Sequence, residues 1–526
     1  LLNYSIPKYI IFIISFVFSH SVIAIDLDNA TLNDIHIALK NGKITSEQLV
    51  ESYIERIEKN KALNAVVSID DSALENANKW DKSGNKNSIL GGIPFLVKDN
   101  YNVINQPNTA GSIALQDNIA KYDAKVVELL KQQGAIVLGR TNMSELAASY
   151  GRFGYSSLAG QTLNPLNLQR DPSGSSSGSA SAVAAHLAPF ALGTDTTGSI
   201  RGPASVTGLI GYRPSMGLTS RTGVVPLSLT FDTIGPLVSS VEDLAIIMDI
   251  IAVEDPSDQA SVFYYSTQSA PNFTRSLNEA TLKNKRLGYI NNYAGANDEV
   301  DAIIEQSILK IKDQGAEVIE LSLPKEMASI GAPVSSFIIA AEFKPQLETH
   351  LRTNNTTISL SEMIKKLKAD KQNPHPINPK RLAALEQNML NHDANSSRYI
   401  SLLNQQLPLM RAKLDSIKKQ YRLDGFVFST RPCPAAPLPS IVEDSYQCQS
   451  QDLLEAGYIA SMLGYPEISI PAGVTQSNIP VSLSFLGGFA QDVEMLQLGH
   501  AFEKLAHFSV ENCLDPNNLK MPCSAR

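Results

Sequence analysis

No run of lysine or arginine occurs anywhere in this chain of 526 residues, whose net charge is −8. A protein that grips a phosphate backbone needs a basic stripe or patch. Nucleic acid is therefore excluded as a partner, and a small uncharged substrate fits the composition better. Cysteine is scarce. The four are Cys433, Cys448, Cys513 and Cys523, and none has a histidine beside it at metal-ligand spacing, which excludes a zinc site of the usual kind. An even count is compatible with two disulfides in an exported chain. Three pairings are open, and the short-range pair Cys433–Cys448 and Cys513–Cys523 is the expected one. No low-complexity linker divides the chain and no fixed period repeats, so one domain is expected over 25–526. No apolar run is long enough for an ordinary membrane span. The apolar run 9–18 is short, follows Lys8 and precedes Val22-Ile23-Ala24. That is the layout of a secretory signal peptide over 1–24, with a retained N-terminal anchor as its rival. The expected location is secreted or periplasmic, with membrane contact only transient and through that segment.

What is present is an alternation of helix and strand signals. Residues 31–40 and 46–59 read as helices, the second opened by Thr45 with Gln48 three positions on, the capping-box pattern. Residues 64–69 and 93–97 read as strands, and Lys98 ends the second. A helix over 123–133 stops at Gly134 before a strand at 135–138. A helix over 300–314 stops at Gly315 before a strand at 316–319. Such alternation predicts a layered α/β fold with partly parallel strands. Further strands are expected at 190–192, 426–429 and 467–470, and further helices at 180–187, 359–368, 382–419 and 495–505. The weakly patterned stretch of about 255–420 reads as a mainly helical cover.

Two segments rich in serine and glycine carry the chemistry. The first is P-S-G-S-S-S-G-S-A-S-A (172–182) and the second is G-T-D-T-T-G-S-I-R (193–201). Gly174 to Gly178 matches the G-x-S-x-G elbow of esterases, which would make Ser176 the nucleophile with His500 or His507 as base. The preceding Arg170-Asp171-Pro172 is not an apolar strand, and a segment this rich in serine meets the pattern easily. No Lys-Ser or Lys-Thr follows the glycines, so a phosphate loop is excluded. A flexible linker does not explain the alanine-rich helix and short strand that follow at once. The second segment leads into a short helix with Pro203 in its first turn, where consecutive N–H groups suit an oxyanion and converge on Ser199. A lone lysine at a strand end is commonly solvated. Lys98 serves as a base only if burial among hydroxyls lowers its pKa.

These segments resemble the amidase signature family, which hydrolyses carboxylic amides with a Ser–Ser–Lys triad. The likeness rests on G-G-I-P-F-L-V-K-D-N (91–100), T-A-G-S (109–112), G-R-T-N-M-S-E-L (139–146) and G-Q-T-L-N-P (160–165). Both serine segments, F-D-T-I-G-P (231–236), P-E-I-S-I-P-A-G (466–473) and I-P-V-S-L-S-F-L-G (479–487) extend it. It covers 30–250 well and 420–505 moderately, and no motif falls in the middle. The resemblance implies a single α/β/α fold with a large mixed twisted sheet covered by helices, and no cofactor or metal. It implies Ser199 as nucleophile and Ser175 as bridging serine, held by a cis Gly174–Ser175 peptide. Lys98 is then the base, and the N–H groups of Thr196, Thr197, Gly198 and Ser199 form the oxyanion loop. Thr197 stands where the family usually has glycine, which would be strained if a positive φ were needed there. That residue, S-G-S-S-S-G-S and G-Q-T-L-N-P resemble the peptide amidase branch, which cleaves C-terminal peptide amides. The expectation is an exported serine amidase acting on linear small-molecule or peptide amides. Its rivals are the Ser176 esterase, an amidotransferase component that feeds ammonia to misacylated tRNA, and a non-catalytic binding relative.

Overall fold

The computed structural model describes residues 25–85, 87–324, 327, 331–390, 393–506 and 508. The signal-peptide expectation over 1–24, His507, Cys513 and Cys523 lie outside the described residues. Eleven strands form one mixed sheet. They are β1 (Val66–Ile69), β2 (Pro94–Lys98), β3 (Ile136–Thr141), β6 (Ala191–Asp195), β7 (Ile210–Arg213) and β8 (Thr233–Val238). β9 (Arg286–Ile290), β10 (Glu317–Leu321), β11 (Gly425–Ser429), β12 (Glu467–Val474) and β13 (Pro480–Leu486) complete it. A separate two-stranded ribbon pairs β4 (Tyr155–Ser156) with β5 (Gly160–Gln161). The sheet order is β1-β3-β2-β6-β8-β7-β12-β13-β11-β9-β10. Parallel pairs occur at β3–β2–β6 and at β11–β9–β10, and the remaining pairs are antiparallel.

Local signals build both parallel regions. The Thr45 hydroxyl accepts the Gln48 N–H while the Gln48 side chain caps Thr45, so helix Ser46–Lys59 starts as its capping box predicts. Gly134 at φ +80° and Gly315 at φ +89° end helices Lys125–Gln132 and Asp298–Asp313 in the left-handed conformation that glycine adopts without steric cost. The chain then drops directly into β3 and β10, each parallel to the strand before its helix. The stretch read as a helical cover thus also contributes β9 and β10, a sheet edge.

Helices lie over the sheet. Helix Ser177–Ala184 packs on β2, β3, β6 and β8, helix Arg201–Thr207 on β7 and β13, and helix Asp492–Ala506 on β12. All five residues of β2 are buried, and the Phe95 ring stacks on Phe190, just before β6, with centroids 5.2 Å apart. Such a stack adds about 0.5–1.5 kcal/mol to the burial of the rings and pins the two strands that carry the site. Helices Gly331–Thr353, Leu360–Ala369 and Pro379–Leu390 form the cover. Phe343, Leu347, Leu351, Met363 and Leu385 join Met143, Leu146, Val225 and Leu227 in one apolar cluster there. Cys433 and Cys448 form a disulfide with Cα atoms 5.7 Å apart, the expected short-range pairing. Among the described residues no helix is long and apolar enough to cross a membrane.

Candidate active site

β2 ends in mid-sheet between two parallel neighbours, so Lys98 projects from the carboxyl edge of the parallel strands, where open α/β sheets place their ligands. Lys98 is fully buried. Its Nζ is 2.9 Å from Ser175 Oγ, 2.9 Å from Ser176 Oγ and 2.7 Å from Thr194 Oγ1. No carboxylate touches it among the described residues. Burial pushes its pKa down to about 7, against the opposing pull of the Asp195 and Asp232 charges. The adjacent Asp99 is turned to Arg140, 2.6 Å away, and to the Thr109 hydroxyl.

The first serine segment reaches Lys98 because its entry is clamped. Asp171 accepts the Ser173 N–H at 2.7 Å and the Ala436 N–H at 2.9 Å. The Ser177 hydroxyl bonds back to the Ser173 carbonyl at 2.8 Å. The Gly174–Ser175 peptide is cis, as the resemblance implies. Helix Ser177–Ala184 leaves at once, built of small residues that are all buried.

The second segment turns around one carboxylate. Asp195, the last residue of β6, accepts the N–H groups of Gly198 (2.8 Å) and Ile200 (3.1 Å). Its other partners are Arg201 Nη2 at 2.9 Å and Arg213 Nη1 at 3.2 Å. Burial alone would raise its pKa; the two guanidinium groups outweigh it and hold the carboxyl well below the usual range. Arg201 also pairs with the buried Glu467 of β12. The positive φ of the turn falls on Gly198, at +115°, and Thr197 is not among the residues of positive φ, so the strain expected of a threonine there does not arise. The Gly198 N–H is taken by Asp195, which leaves the N–H groups of Thr196, Thr197 and Ser199 as the candidate oxyanion donors. The Thr196 hydroxyl donates to Asp232 at 2.6 Å. Burial pushes Asp232 up to about 6, despite that bond and two backbone N–H donors.

Lys98 and Ser175 are thus joined by a direct hydrogen bond. The Ser199 carbonyl accepts the Ser176 N–H at 3.1 Å, tying the two segments together. The Ser199 hydroxyl makes no hydrogen bond within the described residues, so the link from Ser175 to Ser199 is not closed here. The esterase pairing of Ser176 with His500 is not assembled. The Ser176 hydroxyl is occupied by Lys98 and by the Thr194 carbonyl (3.1 Å) and N–H (3.2 Å). His500 in helix Asp492–Ala506 faces Glu503 at 3.4 Å and Glu242 at 3.7 Å.

Sequence reasoning missed several side chains of the candidate site. Thr194, Asp195 and Arg201 stood inside the quoted second segment, Asp232 inside F-D-T-I-G-P and Glu467 inside P-E-I-S-I-P-A-G. For Thr194 and Asp195 the signal was a polar residue at the end of an apolar strand, as for Lys98; Asp232 just precedes a strand, Glu467 begins one and Arg201 opens a helix.

A family model described as Amidase matches residues 48–496. The solved native peptide amidase of Stenotrophomonas maltophilia aligns with a TM-score of 0.83 at 30% identity, over 92% of this chain and 98% of that one. A glutamyl-tRNA(Gln) amidotransferase component of Bdellovibrio bacteriovorus is 30% identical over 490 residues, 91% of this chain and 97% of its own. A probable amidase of Arabidopsis thaliana is 32% identical over 498 residues, 91% of this chain and 90% of its own.

Proposed function

We propose, from the premise that this chain belongs to the amidase family and is an amide-hydrolysing enzyme, that it is a serine amidase acting through an acyl-enzyme on Ser199. The observation that carries this reading is Lys98: a buried amine with no carboxylate partner among the described residues, met by three hydroxyls, with its pKa lowered to about 7. A neutral amine at that place is a base available at ordinary pH. Ser199 Oγ attacks the amide carbonyl. Its proton passes to Ser175, and the Ser175 proton passes to Lys98. The N–H groups of Thr196, Thr197 and Ser199 receive the oxyanion. The proton then returns through Ser175 to the departing nitrogen, leaving an ester on Ser199 that water hydrolyses by the same relay. The products are a carboxylic acid and ammonia or an amine.

Peptide amides are the favoured substrates in this reading. Its support is the 30% identity and high TM-score shared with the Stenotrophomonas peptide amidase. The matching amidotransferase component supports a second reading, in which ammonia is released for a partner chain. Ammonia release from free amides, N-substituted amides and peptide amides separates the two. Turnover of peptide amides by the purified chain alone is expected. Ammonia release that appears only with a partner chain would favour the second reading.

The disulfide and the N-terminal pattern support export. Exported protein digested without reduction is expected to yield a peptide cross-linked between Cys433 and Cys448, and N-terminal sequencing to begin near Ile25. Free thiols at both cysteines, or exported protein that retains 1–24, would overturn this part of the proposal.

A further inference from the structure

Glu342 lies in helix Gly331–Thr353, outside every motif that marks the family. It is 3% exposed, and among the described residues it has no ion pair. Its carboxylate is met by neutral donors: Ser228 Oγ at 2.6 Å, the Thr230 N–H at 3.3 Å, the Thr230 hydroxyl, and the Tyr399 hydroxyl at 2.6 Å. One turn further along the helix, Gln346 Oε1 accepts the Leu229 N–H at 2.8 Å. The helix therefore holds the turn 227–232 by its tip. Asp232 holds the base of the same turn, accepting the N–H groups of Leu227 at 2.9 Å and Ser228 at 3.0 Å through Oδ2. Its Oδ1 accepts the Thr196 hydroxyl. Ser228 is bound from both sides, by its N–H to Asp232 and by its hydroxyl to Glu342. Val225 and Leu227 also pack in one apolar cluster with Phe343 and Leu347.

We infer that Glu342 is a positioning residue for the oxyanion loop: through the turn 227–232 and Asp232 it fixes Thr196, and with it the direction of the N–H groups that receive the oxyanion. The inference rests on the proposed reading of Thr196 to Ser199. Burying a carboxylate without a cation is unfavourable unless every lone pair is met, so four donors converge here for a structural purpose. Oxyanion donors act only at about 2.7–3.1 Å from the developing charge. A shift of about 1 Å can cost about 100-fold in rate. Such a loss falls on the transition state and leaves ground-state binding almost untouched.

A double-mutant cycle tests this, read as kcat and KM on an amide that the wild-type protein hydrolyses. Glu342→Gln is expected to lower kcat about 10- to 100-fold, with KM within about threefold. Thr196→Val keeps the N–H, removes the hydroxyl that Asp232 holds, and is expected to do the same. The double variant should fall no further than the weaker single one, because both cut one chain of contacts. Tyr399→Phe removes one donor from Glu342 and serves in the same cycle should Glu342→Gln fold poorly; its expected loss is about 3- to 10-fold. Losses that multiply in the double variant, or a fully active Glu342→Gln protein, would overturn the inference while the amidase reading stands. A wild-type protein as inactive as Ser199→Ala on every amide would overturn that reading, and this inference with it.

Discussion

Replacing Ser199 with alanine is expected to lower amide turnover by about 10⁴- to 10⁶-fold, because a nucleophile and its base act as one unit and what remains is binding and oxyanion stabilisation. Ser175→Ala should be severe but smaller, about 10³-fold, since a water can stand between Lys98 and Ser199. The decisive comparison is with Ser176. Its hydroxyl sits on Lys98 just as Ser175 does, at 2.9 Å, but it is also anchored to both backbone groups of Thr194. A hydroxyl spent on holding β6 against the helix start does not leave as a nucleophile. Ser176→Ala should therefore cost about 10- to 100-fold through misplacement of Lys98. His500→Ala should stay within about threefold, since its partners are Glu242 and Glu503. Steady-state rates on a peptide amide, together with the site labelled by a fluorophosphonate, check the whole pattern. Label on Ser176, or a dead His500→Ala protein that remains folded, would sink the assignment.

The site was more legible in the sequence than the sheet that carries it, and the reason is physical. Lys98 and Asp195 each end an apolar strand, a place where a charged residue is conspicuous, although only Lys98 was singled out on that ground. Helix Ser46–Lys59 and the glycine stops at Gly134 and Gly315 were equally clear, because caps and left-handed stops are local chemistry. Strands β7 and β8, which were not foreseen, lack a period. β8 contains Gly235 and Pro236, and β7 has four residues lying three positions after a helix. β13 alternates serine with apolar residues as a half-exposed strand would, yet all seven of its residues are buried and Ser484 spends its hydroxyl on Glu467. A central strand is buried on both faces, so alternation is a poor guide to it.

Helix Gly331–Thr353 was hidden for a related reason. It opens on Gly331-Ala332-Pro333, carries Pro345 within it and buries Glu342 and His350 beside Val334, Ile338 and Leu347. Its buried face thus mixes polar and apolar residues, so no stripe stands out. The two seams of the site, Arg201 with Glu467 on one side and Ser228 with Glu342 on the other, join segments far apart in the chain. A pairing of that kind leaves no mark on either segment read alone. The motifs therefore singled out the candidate residues, while the partners that hold them came into view only with the fold.

Lys98 should leave its signature on stability as well as on rate. An unfolded lysine has a pKa of about 10.4, and burial among Ser175, Ser176 and Thr194 brings Lys98 to about 7. Between those two values the unfolded chain keeps the proton and the folded protein does not. Raising the pH through that window therefore favours the folded state. Below about pH 7 both states are protonated and the cost of burying an ammonium is fully present, on the order of 5 kcal/mol at about 1.4 kcal/mol per pKa unit. Lys98→Met removes the titration. Its turnover should vanish, and its stability relative to wild type should change with pH. The wild-type protein is expected to gain several kcal/mol on the variant between about pH 6 and pH 10, whatever fixed offset the lost hydrogen bonds add. Chemical denaturation at a series of pH values reads that difference directly. The rate should show the same ionisation, rising with pH to a midpoint near 7 and holding level into mildly alkaline buffer, because the neutral amine is the active form. A stability difference flat in pH, paired with an activity that still climbs above about pH 9, would mean that Lys98 stays charged in the folded protein. A charged lysine there would anchor three hydroxyls and could not accept the proton of Ser175.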